Sequence, residues 1–262
     1  MMSKQRHAVR FETIGGPTVV IDYGGLRLLT DPTFDEPGEY PGRSGYSLVK
    51  TAPPSRRHDE IGAIDVVLLS HDQHPDNLDR SGRELLPHAG RVLSTASAAE
   101  RLGDVVTVAP RWGQLEVEAP DGRVVSVTAV PAQHGPAGSE PLVGEVTGFV
   151  LRGDTLPTMY VSGDNASLRV VQEIADRVGK VDVAIIFAGG ASTPLIPGEY
   201  LTLTSAGAAQ AAEILAAARV LVVHTDSWRH FTENADDVRK AFAQAGLSDR
   251  LIGCEPGLTF EL

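Results

Sequence analysis

Short apolar runs rich in Val, Ile and Leu recur along the chain, and Gly, Pro and Asp separate them. Such runs between turn-forming residues predict β-strands. The predicted strands are Val9–Ile14, Thr18–Asp22, Leu26–Leu29, Asp65–Leu69, Arg91–Ser94, Val105–Val108, Val124–Val130, Thr147–Arg152, Met159–Val161, Val181–Phe187, Val220–Val223 and Gly257–Phe260. Gly24 and Gly25, between the second and third runs, indicate a hairpin turn.

Helical spacing of apolar residues is concentrated in the second half of the chain. It predicts helices over Thr95–Leu102, Ser167–Val178, Thr204–Ala218 and Asn234–Ala245. The first and third of these begin with a threonine that can cap a helix, and Gly246 follows the last as a C-terminal cap. Strands in the first half and alternating strands and helices in the second predict a layered α/β fold, with sheets inside and helices outside.

One irregular stretch, Asp31–Ser55, interrupts this pattern and carries Gly, Pro, Tyr40 and Tyr46. A loop of that length in a compact domain is often a lid or a binding loop. A mobile surface loop is an equally good interpretation of the same residues.

Composition narrows the class of protein. The 262 residues include 34 acidic and 23 basic side chains, a net charge of −11, which argues against a nucleic-acid surface. The longest apolar run, Val183–Ala191, is too short to cross a bilayer. Asp22 and Arg27 interrupt the only apolar stretch near the N-terminus, so we expect a cytoplasmic protein with neither signal peptide nor membrane partner. The single cysteine, Cys254, is expected to be a buried small residue.

Four predicted strands each deliver a histidine or an aspartate at the carboxyl end. His71, His134, Asp164 and His224 follow these strands directly or within a few residues. Loops at that edge of a sheet collect functional groups in α/β folds. Imidazole nitrogens and carboxylate oxygens together suit a divalent metal, so the four positions predict a metal site.

The segment from Ser70 to Asp79 is the densest cluster of ligand-type residues, with two histidines and three aspartates. A single histidine at a strand end is more often a hydrogen-bonded structural residue, but four such strand ends and this loop together favour metal binding. A calcium loop is excluded because Asn77 stands where that loop needs glycine. The chain also lacks the GxSxG, P-loop and GxGxxG motifs.

The run from Val66 to Asp79 resembles the HxHxDH signature of the metallo-β-lactamase superfamily, which follows an apolar strand. Further pieces match in order, namely Thr18–Asp22, Leu28–Pro32, Pro131–His134, Tyr160–Asp164 and Val223-His224. The chain most resembles the branch that contains ascorbate-6-phosphate lactonases and N-acyl-phosphatidylethanolamine phospholipase D. The resemblance implies a four-layer αβ/βα sandwich, two mixed sheets inside and helices outside, in a single domain over residues 1–262.

The signature is altered in this chain. Without a gap, Gln73 takes the second histidine position; with one inserted residue, His71, His74, Asp76 and Asn77 match the four positions, and this alignment retains more ligands. Asn77 then replaces the last histidine, so either one or two metal ions are expected. Gln73 and Asn77 stay candidates for an additional ligand or for positioning a water.

The resemblance also implies the roles of the ligands. The first metal would be held by His71, His74 and His134, and the second by Asp76, Asp164 and His224, with Asp164 bridging. Asp76 would also be catalytic, as the acceptor of a proton. The implied reaction is hydrolysis by a metal-activated hydroxide of a small ester, lactone or phosphoester, lactonase-like or phosphodiesterase-like.

Some assignments stay open at this point. Zn²⁺ is the first choice of metal, with Mn²⁺ or Fe as alternatives, because the ligands are nitrogen and oxygen only. The alternative to a hydrolase, suggested by Gln73 and Asn77 in the altered signature, is a non-catalytic metal-binding or ligand-sensing protein on the same fold. Trp228 and His230 either line the pocket or pack in the interior. Partners for the outer histidine nitrogens are expected among Asp72, Asp79 and Asp226. Asp31, followed by Pro32, is expected to form a turn.

Overall fold

The computed structural model describes residues 9–41 and 47–262. One mixed sheet has the strand order β16-β1-β2-β3-β6-β7-β8. Its strands are β1 (Arg10–Gly15), β2 (Thr18–Tyr23), β3 (Leu26–Thr30), β6 (Val66–Leu68), β7 (Arg91–Ser94), β8 (Val106–Val108) and β16 (Thr259–Glu261). Strands β16 to β3 pair antiparallel, and β3, β6, β7 and β8 pair parallel.

The second mixed sheet also has seven strands, in the order β15-β14-β13-β12-β11-β10-β9. It contains β9 (Gln114–Glu118), β10 (Val124–Pro131), β11 (Thr147–Gly153), β12 (Met159–Val161), β13 (Val183–Phe187), β14 (Arg219–Val223) and β15 (Leu251–Gly253). Strands β12 to β15 are parallel, and β9 to β12 are antiparallel. A separate hairpin joins β4 (Gly38–Pro41) to β5 (Ser47–Lys50).

The helices are α1 (Arg80–Leu85), α2 (Ala96–Leu102), α3 (Glu140–Val143), α4 (Leu168–Val178), α5 (Ser205–Ile214) and α6 (Ala235–Gln244). The expected caps are confirmed, because the hydroxyls of Thr95 and Thr204 accept backbone N–H groups at the starts of α2 and α5. Helix α5 ends earlier than predicted, where Ala216 adopts a left-handed φ of 48°. No helix in the described ranges is long and apolar enough to span a membrane.

The two sheets face each other across a shared apolar interior. Phe11 and Leu68 from the first sheet pack there with Phe149 and Ile185 from the second. Alternate residues of the strands point outward, against α4, α5 and α6 on the second sheet and against the α1 and α2 region on the first. The layers are therefore helices, sheet, sheet and helices, as expected.

The main difference from the predicted elements lies in the stretch Asp31–Ser55. It contains the β4–β5 hairpin, although Gly38 and Pro41 disfavour strand assignment from sequence. Tyr46 lies outside the described residues. Strands β9 and β15 and helices α1 and α3 were not predicted either, because each spans only three to six residues. The boundaries of the predicted strands otherwise shift by two residues or fewer.

Candidate metal centre

Three imidazole rings meet at the carboxyl ends of β6 and β10. The Nε2 atom of His71 lies 3.0 Å from the Nδ1 atom of His74. The Nε2 atom of His134 lies 3.3 Å from the same Nδ1 atom. We call these residues the three-histidine group. It contains His74 and not Gln73, which is the choice of residue that the alignment with one inserted residue predicts.

Two carboxylates and one imidazole form a second cluster beside the first. Asp76 lies in the same loop as His74, Asp164 follows β12, and His224 follows β14. The Nε2 atom of His224 is 3.4 Å from Asp76 Oδ2 and 3.4 Å from Asp164 Oδ1. We call these residues the carboxylate group. Strands β6, β10, β12 and β14 end on the same side of the sandwich, which is why distant parts of the sequence meet here.

Backbone geometry at the end of β14 is unusual. His224 has a φ of 66°, in the left-handed region that few non-glycine residues adopt. Its N–H donates to the carbonyl of Gly16 at 2.8 Å. A Cβ atom on Gly189 would lie 2.3 Å from the His224 carbonyl oxygen, so only glycine fits there. Gly16 holds the strained turn at the N–H of His224, and Gly189 packs against its carbonyl oxygen. The turn directs the imidazole toward Asp76 and Asp164.

The outer nitrogens of the three-histidine group contact polar groups. His134 Nδ1 lies 2.9 Å from the carbonyl oxygen of Leu201, an arrangement in which Nδ1–H donates and Nε2 keeps its lone pair. His71 Nδ1 lies 2.9 Å from Ser70 Oγ. Metal-binding histidines need this tautomer and this orientation.

A buried polar network extends behind both groups. Asp31 accepts hydrogen bonds from the Ser70 backbone N–H and hydroxyl, both at 2.6 Å. The Asn77 amide nitrogen donates to Asp31 Oδ2 and to Asp164 Oδ1, each at 3.1 Å. Asn77 therefore holds a carboxylate of the second group in place. Sequence reasoning missed Asp31 and Ser70 in this role, because neither belongs to the signature.

The carboxylates expected behind the histidines bind elsewhere, so that prediction is wrong. Asp72 accepts from Arg101 Nε at 2.9 and 3.0 Å. Asp79 caps helix α1 and approaches buried Lys50 at 3.4 Å. Asp226 accepts from the Gly16 N–H at 3.0 Å. Each carboxylate had a nearby cation or backbone donor that the sequence order does not reveal.

Burial disfavours the charged form of two rings in the three-histidine group, those of His71 and His74. It lowers the pKa of His74 to about 4, and the neighbouring His134 lowers it further in the same direction. The pKa of His71 falls well below its ordinary value for the same reasons, burial first and the adjacent imidazoles second. Neutral imidazoles are the form that binds metal, so His71 and His74 are in the metal-binding form at neutral pH.

The carboxylate group has the opposite electrostatics. Burial opposes ionisation of Asp76, but His230 and His224 outweigh it and hold the pKa of Asp76 well below its ordinary value. Burial likewise opposes a charge on His224, yet Asp164 and Asp76 raise its pKa overall. Asp76 is thus ionised and a weak base, which argues against its expected role as proton acceptor.

The donor atoms fit a bound metal. Among the described residues, Asp76 Oδ1, Asp164 Oδ2 and His224 Nε2 are buried without a hydrogen-bond partner. Buried polar atoms almost always have a hydrogen-bond partner. Several unpartnered nitrogen and oxygen atoms that lie together are an exception, and a bound cation would account for it. Each group offers three ligand atoms within 4.8 Å of one another.

A cavity of about 840 Å³ opens onto both groups. His74, Asp76, His134 and His230 line one side of it. Gln73 also lines the cavity, and its amide lies against Gly144, where a Cβ atom would be 2.2 Å from Gln73 Nε2.

Trp228 does not line this cavity, contrary to one of the two interpretations of that residue. Its ring is buried, 5.5 Å from the ring of Tyr40 and 5.6 Å from Lys50 Nζ. Trp228 therefore packs against the β4–β5 hairpin and stabilises it. Of Trp228 and His230, only His230 lines the cavity.

The sequence is similar to those of known proteins. Residues 26–225 match the family model described as the β-lactamase superfamily domain. A UPF0173 metal-dependent hydrolase of Pyrococcus furiosus is 24% identical over 243 residues, covering 91% of this chain and 93% of that protein. N-acyl-phosphatidylethanolamine-hydrolyzing phospholipase D 1 of Caenorhabditis elegans is 22% identical and covers 67% of this chain and 52% of its own length.

Solved structures agree with the fold. The isothiocyanate hydrolase from Delia radicum gut bacteria superposes with a TM-score of 0.80 and 19% identity, covering 97% of this chain and all of that one. At this identity the similarity concerns the fold alone. The family match spans most of the sequence and includes every strand that delivers a ligand-type residue. The chain therefore belongs to the metallo-β-lactamase superfamily of metal-dependent hydrolases.

Proposed function

We propose that the chain hydrolyses a small, uncharged carboxylic ester or lactone with an apolar substituent, using divalent metal held by the two groups. The observation that carries this proposal is the wall of the 840 Å³ cavity. One side presents the candidate ligands. The remaining wall is rich in apolar side chains, including Leu48, Leu142, Val143, Ala191, Leu195 and Leu201.

The charges around the cavity favour a carboxylic substrate over a phosphoester. Among its described lining residues the only arginine or lysine is Arg101, whose guanidinium is already engaged by Asp72. Glu140 and Glu145 add negative charge to the wall. Proteins usually recognise phosphate groups with free arginine or lysine side chains, so a phosphomonoester would find poor support here.

We assign the ligands as the sequence predicts, with one ion at each group. His71, His74 and His134 would hold the first ion, and Asp76, Asp164 and His224 the second. Nitrogen and oxygen donors without cysteine suit zinc, manganese and iron, and three imidazoles favour zinc.

A bound divalent ion supplies a water of pKa about 7 and polarises the substrate carbonyl. The side chains around it do the positioning. Leu201 fixes the tautomer of His134, and Asn77 holds Asp164 through its amide nitrogen. The apolar wall binds the substituent and excludes bulk water from the reacting bond.

The test is a substrate series on zinc-loaded protein. We expect kcat/KM for p-nitrophenyl esters to rise about fourfold per methylene from acetate to hexanoate, since each buried methylene contributes about 0.8 kcal/mol. Chelation should abolish the activity. A preference for p-nitrophenyl phosphodiesters or for isothiocyanates would overturn the substrate class. Absence of chelator-sensitive turnover on every class would favour the metal-binding or sensing alternative.

A matched pair of variants tests the cavity wall. Leu195 is 42% exposed at the cavity, and Leu262 is 41% exposed and is not among the cavity-lining residues. Leu195→Asp should lower kcat/KM for hexanoate about tenfold and leave acetate nearly unchanged, because only the longer chain reaches that wall. Leu262→Asp should change neither ester. Equal behaviour of the two variants would contradict the proposed binding surface.

A further inference from the structure

The carboxylate group has fewer imidazoles than the superfamily signature provides. The position after Asp76 is histidine in that signature and Asn77 here. Both amide contacts of Asn77, to Asp31 and to Asp164, are made by its nitrogen, so the residue is used as a hydrogen-bond donor. The group is then left with two carboxylates and the single imidazole of His224.

Another imidazole approaches the same carboxylate from a different loop. His230 follows β14 by several residues, and its Nε2 atom lies 3.0 Å from Asp76 Oδ2. The same oxygen lies 3.4 Å from His224 Nε2. The His230 side chain is 7% exposed, and its Nδ1 atom is buried without a partner among the described residues.

The spacing of these atoms matches that of ligands around one ion. Two donors that each lie about 2.1 Å from an ion are separated by about 3.0 Å at a right angle and about 3.4 Å at a tetrahedral angle. The contacts of His230 and His224 with Asp76 Oδ2 have these two values. The three-histidine group shows the same range, 3.0 and 3.3 Å.

We infer that His230 Nε2 is a metal ligand of the carboxylate group and supplies the imidazole that the signature would place at Asn77. This inference rests on the proposed metal binding. It adds His230, through its contact with Asp76, to the three residues whose ligand atoms lie within 4.8 Å of one another, Asp76, Asp164 and His224. Because His230 also lines the cavity, the second ion would lie at the substrate side of the group.

The experiment compares His230→Gln, His230→Ala and the exposed control His88→Ala. Glutamine can still donate a hydrogen bond to Asp76 but is a poor metal ligand, so it separates ligation from simple positioning. Metal content and stepwise affinity are measured by elemental analysis and competition with a chelator. Cobalt-loaded protein is also examined by proton NMR for hyperfine-shifted ring N–H signals.

We expect wild-type protein and His88→Ala to bind two ions. Both His230 variants should bind the second at least about a hundredfold more weakly, a larger loss than that of an outer hydrogen-bond partner. Cobalt-loaded His230→Gln at saturating metal should lack one ring N–H signal. Unchanged second-ion affinity in His230→Gln overturns this inference alone. A wild-type protein that binds no divalent metal overturns the proposed function as well, and one that binds a single ion overturns this inference.

Discussion

The two ligand groups lie side by side and differ in charge. In the three-histidine group, burial keeps the pKa of His74 near 4 and that of His71 well below its ordinary value, so these two rings are neutral. The carboxylate group buries Asp76 and Asp164 beside a His224 whose pKa is raised. A cation in the first group would bind beside two neutral rings, those of His71 and His74, whereas in the second group it would take the place of the proton on His224.

This difference predicts unequal dependence on metal. Buried carboxylates are costly unless a positive charge lies close by, whereas neutral imidazoles need only hydrogen bonds. Loss of metal should therefore disturb the carboxylate group more than the three-histidine group. Comparison of variants in the two groups can test this in order of decreasing effect.

The largest effect is expected from Asp164→Asn. The variant keeps the oxygen that accepts from Asn77 but replaces a buried carboxyl group with a neutral amide. Chelator-sensitive esterase activity should fall about a thousandfold, because metal stabilisation of the transition state contributes several kcal/mol. In chelator, however, the variant should have a higher Tm than wild type, since one of the two buried carboxylates that share the imidazole of His224 is gone. Activity assays and thermal unfolding, with and without metal, check both parts.

Asp226→Asn is the control for that experiment. Asp226 is also a buried carboxyl and accepts from the Gly16 N–H, but it belongs to neither group. Its substitution should leave the metal-dependent change in Tm as it is in wild type. A lower Tm of Asp164→Asn than of wild type in chelator would contradict the charge difference between the groups.

Most of the fold could be predicted from the sequence because its strands are long enough to show alternation or apolar runs. Strand β10, Val124–Pro131, differs by one residue from its predicted end. The β4–β5 hairpin was missed because Gly38 and Pro41 disfavour strands, and its stability comes from tertiary contacts such as Lys50 with Trp228. Such contacts between distant segments leave no local pattern.

The candidate site was predictable to a similar extent. The six ligand-type residues lie at strand ends or in the loop after β6, and the structure brings them into two groups. Their supporting residues could not be identified, since Asp31 and Ser70 meet only because β3 and β6 are parallel neighbours. The same holds for His230, whose approach to Asp76 depends on the turn at His224.

The next largest effect is the pH dependence of the free energy of unfolding, which distinguishes the two groups when no metal is bound. His74 has a pKa of about 4 in the folded chain and about 6.5 when unfolded. Between these values the unfolded chain binds more protons, so the free energy of unfolding rises with pH, by about 3 kcal/mol for this residue. His224 acts oppositely, because its stabilisation is complete below about 6.5 and is lost as the pH rises through its raised folded pKa.

Thermal unfolding in chelator across pH 4 to 9 measures both the rise of stability on the acid side, the acid limb, and its fall on the alkaline side. His74→Gln should flatten the acid limb by several degrees, as 1 kcal/mol corresponds to roughly 2–4 °C for a chain of this size. Added zinc should remove the alkaline fall, since the ion replaces the proton on His224. An acid limb unchanged in His74→Gln would show that the imidazole does not titrate as its burial implies.

The smallest effect is expected from Ser70→Ala, which removes the hydroxyl 2.9 Å from His71 Nδ1. Loss of an outer partner typically weakens metal binding 10–100-fold, and we expect about tenfold because the Ser70 backbone N–H still holds Asp31. The weakened ion should be the one at the three-histidine group, with the carboxylate group unaffected. Ser94→Ala is the matched control, since Ser94 is buried at the end of neighbouring β7 and its hydroxyl has no partner in the described ranges. Equal metal affinities for the two variants, measured by chelator competition, would mean that His71 is oriented by packing alone.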